Sequence, residues 1–397
     1  MTATSTSRYL VGILAVCAVG APGPSSHAPA ATARVLACPV VRVARATVAG
    51  GQSHRWDLPS APGYLTAVAA RSPGSALAVG TTVPHERPFL AQWNGAAWRP
   101  LRDPALPVTG SLTGVAIFPG GAWAAGERGM SGSGRGSFPL MLRVTGTTVR
   151  EVPIPRTTYG GDLNGVAATS ATNAWAVGNE ATIGGGTGAA LILHWNGGAW
   201  TRVRLPAGLA REGGVVTAVA ATSATNAWAV TNSPARGGLP PIMHWNGRQW
   251  GKIPSPDIGM PYGLTAVAAT SARNIFVVGY DRALASRSVL LHWNGRTWTC
   301  GRTVQVVRSK VPGVSLTSVS ASSADNAWAV GSYFGSASRV LALRWNGRAW
   351  RQVRIPQPSQ FNLLHGVAVV PHSGAAWTVG GAVSRTLMLH WNATAWQ

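Results

Sequence analysis

Residues 193–200 read LHWNGGAW, and near-copies of this stretch recur along most of the chain. The copies lie at residues 91–98 (AQWNGAAW), 243–250 (MHWNGRQW), 291–298 (LHWNGRTW), 343–350 (LRWNGRAW) and 389–396 (LHWNATAW), with a degenerate copy, LRVTGTTV, at residues 142–149. From Trp93 to Trp391, the third residue of successive copies advances by 51, 51, 50, 48, 52 and 46 residues. Repetition at such a period is typical of proteins in which each repeat is one supersecondary unit.

A second motif precedes each copy. It reads TSATNAWAVG at residues 169–178, TSATNAWAV at 222–230, TSARNIFVVG at 270–279 and SSADNAWAVG at 322–331. A short apolar run lies ahead of it, such as LTAVAA at 65–70, and another follows the last Trp, such as WTRVRLP at 200–206. Four strand candidates per unit, seven units and no helical periodicity predict an all-β fold: a seven-bladed β-propeller with four antiparallel strands in each blade.

The tryptophans follow the same register. Three slots in each of seven units hold 17 of the 18 Trp residues, and Trp56 alone lies outside the slots. The other four slots hold Leu77, Val144, Val149 and Phe276. The slot in the third strand holds the predicted structural residues Trp93, Trp195, Trp245, Trp293, Trp345 and Trp391. Large flat apolar side chains at fixed places predict blade-on-blade packing.

The Asn-Gly pair in five of the seven copies predicts a β-hairpin. A two-residue type I′ turn at Asn196 and Gly197 would have positive φ at both positions. In that register Trp195 faces Gly198 and Leu193 faces Trp200.

The repeat defines the domain organisation. The propeller is expected over residues 53–397, with units near residues 64–105, 112–156, 163–206, 215–256, 263–310, 315–356 and 363–397. The last unit stops before a fourth strand, and residues 53–59 (SHRWDLP) resemble the fourth-strand endings VRLP at 203–206 and VRIP at 353–356. We expect residues 53–59 to complete the last blade, the alternative being a loose lead-in.

The start of the chain resembles a targeting segment. Residues 9–21 form an apolar stretch that suits a signal-peptide core and is short for a membrane span. Cleavage is expected after Ala33, with Ala30 as an alternative, giving a signal peptide over 1–33 and an N-terminal arm over 34–52. The protein is then secreted or on a bacterial cell surface, without a transmembrane segment after cleavage. A weaker alternative is a lipid anchor at Cys38.

The cysteines agree with export. Cys17 lies within the predicted signal, which leaves Cys38 and Cys300 for one disulfide, or for two free thiols. No Cys-x-x-Cys pair suggests zinc or redox chemistry. We therefore expect no metal and no cofactor.

The net charge is +22, from 33 Lys and Arg against 11 Asp and Glu. Many cations lie in the Asn-Gly turns or fourth strands: Arg99, Arg102, Arg202, Arg204, Arg248, Lys252, Arg296, Arg302, Arg348, Arg351 and Arg354. Cations on this outer rim protect exposed strand edges from pairing between molecules. The alternative is a functional belt for an anionic polymer of the cell envelope, with nucleic acid bound only non-specifically. A monomer is expected.

The loops suggest where a ligand would bind. In a four-stranded meander the uniform S-x-x-N and Asn-Gly turns share one face, and the connections on the opposite face vary in length and content. Variable loops on a uniform scaffold are typical of a binding face. Candidate binding residues there are Glu86, Glu127, Tyr159, Asp162, Glu180, Glu212, Asp257, Tyr262, Tyr280, Asp281 and Tyr333.

Catalysis has weaker support. A carbohydrate-active hydrolase or lyase would need two of the loop carboxylates at a suitable separation. His194, His244, His292 and His390 occupy one repeat slot, which favours a scaffold role. No nucleophile-elbow, zinc-protease or phosphate-loop motif is present in the sequence, so no catalytic residue is predicted.

The two repeat motifs are similar to those of exported bacterial β-propeller repeat proteins, which are distantly like kelch, BNR and WD repeats. The resemblance covers about residues 65–396 and implies a propeller outside the cytoplasm, with little about chemistry, because most such proteins have no assigned activity. The sequence therefore favours a non-catalytic binding scaffold that recognises a protein, a glycan or an anionic polymer. The alternatives are a carbohydrate-active enzyme and a structural envelope protein with no ligand.

Overall fold

The structure, a computed structural model, describes most of the repeat region. The described residues are 36, 38, 40–43, 63–129, 137–181, 188–212, 214–232, 238–282, 287–300, 303–306, 313–334, 337–382 and 385–397. The predicted signal peptide (residues 1–33), the predicted closing strand (residues 53–59) and most of the predicted arm lie outside them.

Eight sheets form among the described residues, and seven of them are blades, each a meander of consecutive antiparallel strands. Blade 1 contains β2 (Gly63–Ser72), β3 (Ser75–Thr82), β4 (Pro88–Trp93) and β5 (Trp98–Pro100). Blade 2 contains β6 (Gly110–Phe118), β7 (Gly121–Arg128), β8 (Phe138–Thr145) and β9 (Thr148–Glu151). Blade 3 contains β10 (Gly161–Ser170), β11 (Asn173–Glu180), β12 (Ala189–Trp195) and β13 (Trp200–Arg202).

Blade 4 contains β14 (Val216–Ser223), β15 (Asn226–Thr231), β16 (Ile242–Trp245) and β17 (Trp250–Ile253), and blade 5 contains β18 (Tyr262–Ser271), β19 (Asn274–Asp281), β20 (Ser288–Trp293) and β21 (Trp298–Cys300). Blade 6 contains β23 (Gly313–Ala321), β24 (Ala327–Phe334), β25 (Arg339–Trp345) and β26 (Trp350–Val353). Blade 7 contains β27 (Asn362–Val369), β28 (Ala376–Ala382) and β29 (Arg385–Trp391). Outside the blades lie β1 (Val40–Val43), β22 (Thr303–Val306) and the helix α1 (Ala207–Glu212). The prediction of a seven-bladed β-propeller is confirmed, with three strands of blade 7 among the described residues.

The second strand of a blade is buried on both faces. All six residues of β15 are buried, as are the first six of β11. Each blade packs between two neighbours, so a strand near its middle has no solvent-facing side. This explains why the AWAVG run is apolar at consecutive positions instead of alternating.

Three large apolar side chains fill each interface between blades. One comes from the second strand of a blade, and the other two face each other across the third and fourth strands of the next blade. The aromatic triads, with ring centroids 4.9 to 6.4 Å apart between blades, are Trp123 with Trp195 and Trp200, Trp175 with Trp245 and Trp250, Trp228 with Trp293 and Trp298, Phe276 with Trp345 and Trp350, Trp328 with Trp391 and Trp396, and Trp377 with Trp93 and Trp98. The smaller Leu77, Val144 and Val149 share the interface between blades 1 and 2.

A β-bulge in each inner strand links neighbouring blades. Six of the seven bulged residues donate a side-chain hydrogen bond to a backbone carbonyl of the next blade, as Thr265 does to the Leu316 oxygen at 2.6 Å. The other five donors are Thr66, Thr113, Asn164, Thr217 and Thr317. In blade 7 the bulged residue is His365, whose ring lies 6.1 Å from that of Tyr64 in blade 1.

The hairpin between the third and fourth strands differs from the predicted one. Trp195 pairs directly with Trp200, and Leu193 pairs with Arg202, so the loop contains four residues instead of two. The oxygen Oδ1 of Asn196 accepts hydrogen bonds from the N–H groups of Gly198 (2.9 Å) and Ala199 (3.0 Å). Only the glycine has positive φ (100°). The type I′ prediction is therefore wrong, because the Asn side chain replaces the backbone contacts that close a two-residue turn.

Part of the N-terminal arm lies against blade 5. Strand β1 pairs in parallel with β22, and Cys38 forms a disulfide with Cys300 at the end of β21. The backbone N–H of Leu36 donates to the carbonyl oxygen of Asp257 (2.7 Å). A sulfur atom in a disulfide cannot also carry a lipid thioether, so this pairing opposes a lipid anchor at Cys38.

Candidate functional site

One face of the propeller is uniform. We call it the turn face; it carries the connections between first and second strands and between third and fourth strands. The indole N–H of Trp195 donates to the carbonyl oxygen of Ala171 in the adjacent turn (2.9 Å), and a Cβ added to Gly197 would lie 3.0 Å from Thr172. Equivalent indole bonds join Trp93 to Pro73, Trp245 to Ala224 and Trp345 to Ala324. Repetition of the same contacts leaves little on this face to distinguish one blade from another.

The opposite face carries the connections between second and third strands and between blades, and we call it the variable face. Exposed aromatic side chains lie on it: Phe138 (41% exposed), Tyr159 (52%), Phe334 (40%) and Phe361 (54%). Exposed apolar patches mark interaction sites, so these side chains are candidates for contact with a ligand.

Several candidate binding residues instead support the loops. Tyr262 is fully buried and its hydroxyl donates to the Pro256 carbonyl oxygen (2.7 Å), and Asp281 is also buried. Asp257 accepts the Gly259 N–H through Oδ1 (2.8 Å), and the Glu86 carbonyl accepts the N–H of Gly110 in blade 2. Tyr280 and Tyr333 are half-buried, and the Glu212 side chain lies outside what the structure describes.

Two of the candidate acids, Glu127 of blade 2 and Asp162 of blade 3, lie close enough to interact, and Glu180 is paired with Gly161, the neighbour of Asp162. Burial, and then the negative charge of Glu127, raise the pKa of Asp162 to about 6, which the amide of Asn179 partly opposes. The Ser111 hydroxyl donates to Glu127 Oε1 (3.2 Å). Glu180 forms an ion pair with Arg202 (2.8 Å).

A cleft opens on the variable face of blade 2, beside the connection that leads to blade 3. It has a volume of about 390 Å³ and is lined by Arg128, Phe138, Pro139, Ile154, Pro155, Arg156 and Thr157. Arg128 ends β7 and is paired across the sheet with Phe138, which begins β8. The other wall is the connection from β9 to β10. None of these residues was predicted as a site residue, because VPIP at residues 152–155 resembles the strand endings VRLP and VRIP.

The repeated histidines are part of the scaffold. The Nε2 atom of His194 lies 2.8 Å from Asn173 Oδ1, and its ring packs on Trp175 with centroids 4.4 Å apart. Burial lowers the pKa of His194, His244, His292 and His390. In blades 2 and 6 this slot holds Arg143 and Arg344, which lie over the equivalent indoles.

The cations of the outer rim are exposed wherever their side chains are described. Arg202, one of these cations, forms an ion pair with Glu180. Within the same part of the chain, no group of three or more His, Cys, Asp and Glu side chains could hold a metal ion. The described residues also include no helix with the length and apolar character needed to cross a membrane.

Comparisons with known proteins identify the class of protein. No family model matches the sequence, and no curated protein matches it. The structure is similar to YCF48 bound to D1 peptide, at 15% identity over 86% of this chain and 98% of that chain, with a TM-score of 0.54. It is also similar to the GH74 xyloglucanase from Xanthomonas campestris, at 16% identity over 85% of this chain and 53% of that chain, with a TM-score of 0.57.

A third similar structure is the β-propeller domain of Swd1 from Myceliophteria thermophila, at 13% identity over 86% of this chain and 100% of that domain, with a TM-score of 0.54. At these identities the similarity shows the fold alone. The chain is a β-propeller repeat protein, and its particular activity has to be argued from its own residues.

Proposed function

We propose that this protein is an exported, non-catalytic binding scaffold that recognises a protein or a polymer of the cell envelope through its variable face. The main support is the contrast between two faces of one molecule. Indole and Asn contacts repeat on the turn face, whereas exposed aromatic side chains and a cleft of about 390 Å³ lie on the variable face. YCF48 bound to D1 peptide shows that another propeller binds a peptide.

The binding test compares the two faces. Purified protein is screened on peptide and glycan arrays at physiological salt, together with the variants Phe138→Ser and Tyr159→Ser. Thr172→Ala, on the turn face, is the matched control. We expect the first two variants to lose binding and the control to keep it. Absence of binding by the unaltered protein to both arrays would instead support a structural envelope protein with no ligand.

Export has a separate test. Residues 1–33 are fused to a phosphatase that is active only outside the cytoplasm, and a second fusion carries Val11→Arg, which interrupts the apolar core. We expect activity from the first fusion alone. Equal activity from both would show that the segment is not a signal peptide.

Asp162 and Glu127 favour a second candidate function, a carbohydrate-active hydrolase or lyase. A carboxyl whose pKa is raised to about 6 beside a second carboxyl is the arrangement that separates an acid from a base in glycoside cleavage. The test is release of reducing ends from a panel of polysaccharides that includes xyloglucan. Activity that Asp162→Asn abolishes and Glu86→Gln leaves intact would favour the enzyme over the scaffold.

A further inference from the structure

The cleft at blade 2, beside the connection to blade 3, has the features of a preformed site. Its outer wall is the segment Val152–Pro153–Ile154–Pro155, in which two prolines restrict the backbone to extended conformations. The N–H of Val152 donates to the Met141 carbonyl oxygen (2.9 Å), which holds the start of this wall against β8. The wall is therefore fixed before a ligand arrives.

The far end of the wall is fastened twice. The N–H of Thr158 donates to Glu180 Oε1 (3.1 Å), and the N–H of Gly161 donates to the Ser137 carbonyl oxygen (2.9 Å). Gly160 has φ of 91°, and a Cβ at that position would collide with the Ser137 carbonyl. A preformed cleft loses little conformational entropy on binding, which favours affinity.

The lining of the cleft indicates the chemistry of its ligand. Phe138, Pro139, Ile154 and Pro155 form an apolar surface, with Phe138 41% exposed. Arg156 is exposed at the rim. Arg128 is oriented by an ion pair from its Nη1 to Glu151 Oε1 (2.8 Å), which leaves other guanidinium donors for a ligand. The cleft thus offers an apolar surface with cationic groups beside it.

We propose that this cleft binds an extended peptide segment in which a large apolar side chain stands next to an Asp or Glu. The apolar side chain packs between Phe138 and Ile154, and the carboxylate contacts the guanidinium groups of Arg156 and Arg128. A glycan is less suited, because its hydroxyl groups need several hydrogen-bonding partners and four of the seven lining residues are apolar. This inference rests on the proposed binding function and names the ligand class and the site.

The probe is an array of acetylated and amidated hexapeptides in which Phe, Leu or Ile adjoins Asp, Glu, Asn or Lys. We expect the acidic members to bind best. The strongest one, labelled with fluorescein, is then measured by anisotropy. Arg156→Gln is expected to weaken this peptide about tenfold or more and to leave its Asn counterpart unchanged. Arg204→Gln, another exposed arginine, is the matched control and should change neither.

Three results would overturn the inference. The first is equal binding of acidic and basic peptides, the second is unchanged binding by the double variant Phe138→Ser/Arg156→Gln, and the third is no peptide bound above background. If the double variant still binds a partner that Phe361→Ser loses, the variable face binds elsewhere and only this inference falls. If the partner bound is a glycan and no peptide binds, the scaffold function stands and the peptide assignment falls.

Discussion

The indole ring of Trp377 in blade 7 lies 5.0 Å from that of Trp93 in blade 1, and it meets the ring of Trp98 edge-on at 5.1 Å. These residues are far apart in sequence, and their contact joins the last repeat to the first. The same triad geometry recurs at five other interfaces. Closure of the ring therefore uses the same aromatic contact as five of the six other interfaces.

We predict that Trp377→Ala lowers the free energy of unfolding by about 3–5 kcal/mol, because it removes a buried indole from a packed interface. A double-mutant cycle of Trp377→Ala with Trp93→Ala should show a coupling of about 0.5–1.5 kcal/mol. The measurement is urea unfolding followed by tryptophan fluorescence and circular dichroism. Trp245→Ala is the control partner, since its indole packs on Trp175, and it should add to Trp377→Ala without coupling. Coupling of equal size in both cycles would contradict the explanation that the coupling arises from direct contact between the two indoles.

The turn of blade 7 provides a second prediction. Ala393 has φ of 77° where the equivalent residues are Gly197, Gly295 and Gly347. A side chain in this left-handed region costs about 1–2 kcal/mol, part of which is offset by the greater entropy of glycine in the unfolded chain. Ala393→Gly should therefore stabilise the protein by about 0.5–1 kcal/mol, measured as a higher urea midpoint.

The reverse substitution is the control. Gly197→Ala should destabilise by about 1–2 kcal/mol, since it adds both the left-handed strain and a Cβ 3.0 Å from the Thr172 methyl group. If Ala393→Gly lowered the midpoint, the left-handed strain at this turn would be smaller than the entropic cost of glycine.

Buried histidines predict lower stability in acid. Burial lowers the pKa of His365 to about 4, and it lowers the pKa of the four repeat-slot histidines as well. Below about pH 6.5 the unfolded chain binds protons that the folded protein does not. The free energy of unfolding therefore decreases as the pH is lowered from about 6.5. His365 alone accounts for about 3 kcal/mol, from a pKa difference of about 2.5. The full effect of His365 is reached only below pH 4.

The pH dependence can be measured by urea unfolding between pH 7.5 and 4. Asp162 acts in the opposite direction, since its raised pKa of about 6 adds stability as the pH falls through that value. His365→Gln should flatten the acid limb, and Asp162→Asn should steepen it. The exposed His372 provides the control, and His372→Gln should leave the curve unchanged. A stability that rises towards pH 4.5 would contradict the burial of the histidines.

The blade count and the strand register follow from sequence because one slot is filled by the same side chain in most units. Each indole must stand at a fixed number of residues from the turn in order to pack against the next blade. The tryptophans therefore recur at the same place in each unit of the sequence. The turn itself was mispredicted, because Asn-Gly is compatible both with a type I′ turn and with the observed loop closed by Asn196 Oδ1. Only the pairing of Trp195 with Trp200 distinguishes them.

The candidate site is harder to predict, since loop position does not determine burial. Tyr159 lies in the connection between blades 2 and 3, and Tyr262 directly follows the connection between blades 4 and 5, yet Tyr262 is fully buried and Tyr159 is 52% exposed. The hydroxyl of Tyr262 has a carbonyl partner, which the sequence does not show. The cleft was missed for a related reason. It exists only because Ile154 and Pro155 lie opposite Phe138 in the folded protein, and the sequence does not show that the three residues line one cleft.

The last prediction concerns the outer edge of blade 7. In blades 1 to 3 the N–H groups of Leu101, Val152 and Val203 extend the fourth strand by donating to third-strand carbonyls, each at 2.9 Å. The equivalent carbonyl in blade 7 belongs to Met388. Residues 56–59 (WDLP) align in sequence with residues 203–206 (VRLP), and this alignment predicts the Trp56 N–H as the donor to that carbonyl. If residues 53–59 complete the blade, Trp56→Pro removes that donor and should lower the free energy of unfolding by about 1–3 kcal/mol. Trp56→Phe keeps the donor and should lower the free energy of unfolding by less. Both values are measured from the urea midpoint. Hydrogen exchange should then quicken in β29 and stay unchanged in β12. Equal stability of the two variants, with no change of exchange in β29, would mean that this segment lies elsewhere and that the indole contacts of Trp377 close the ring without it.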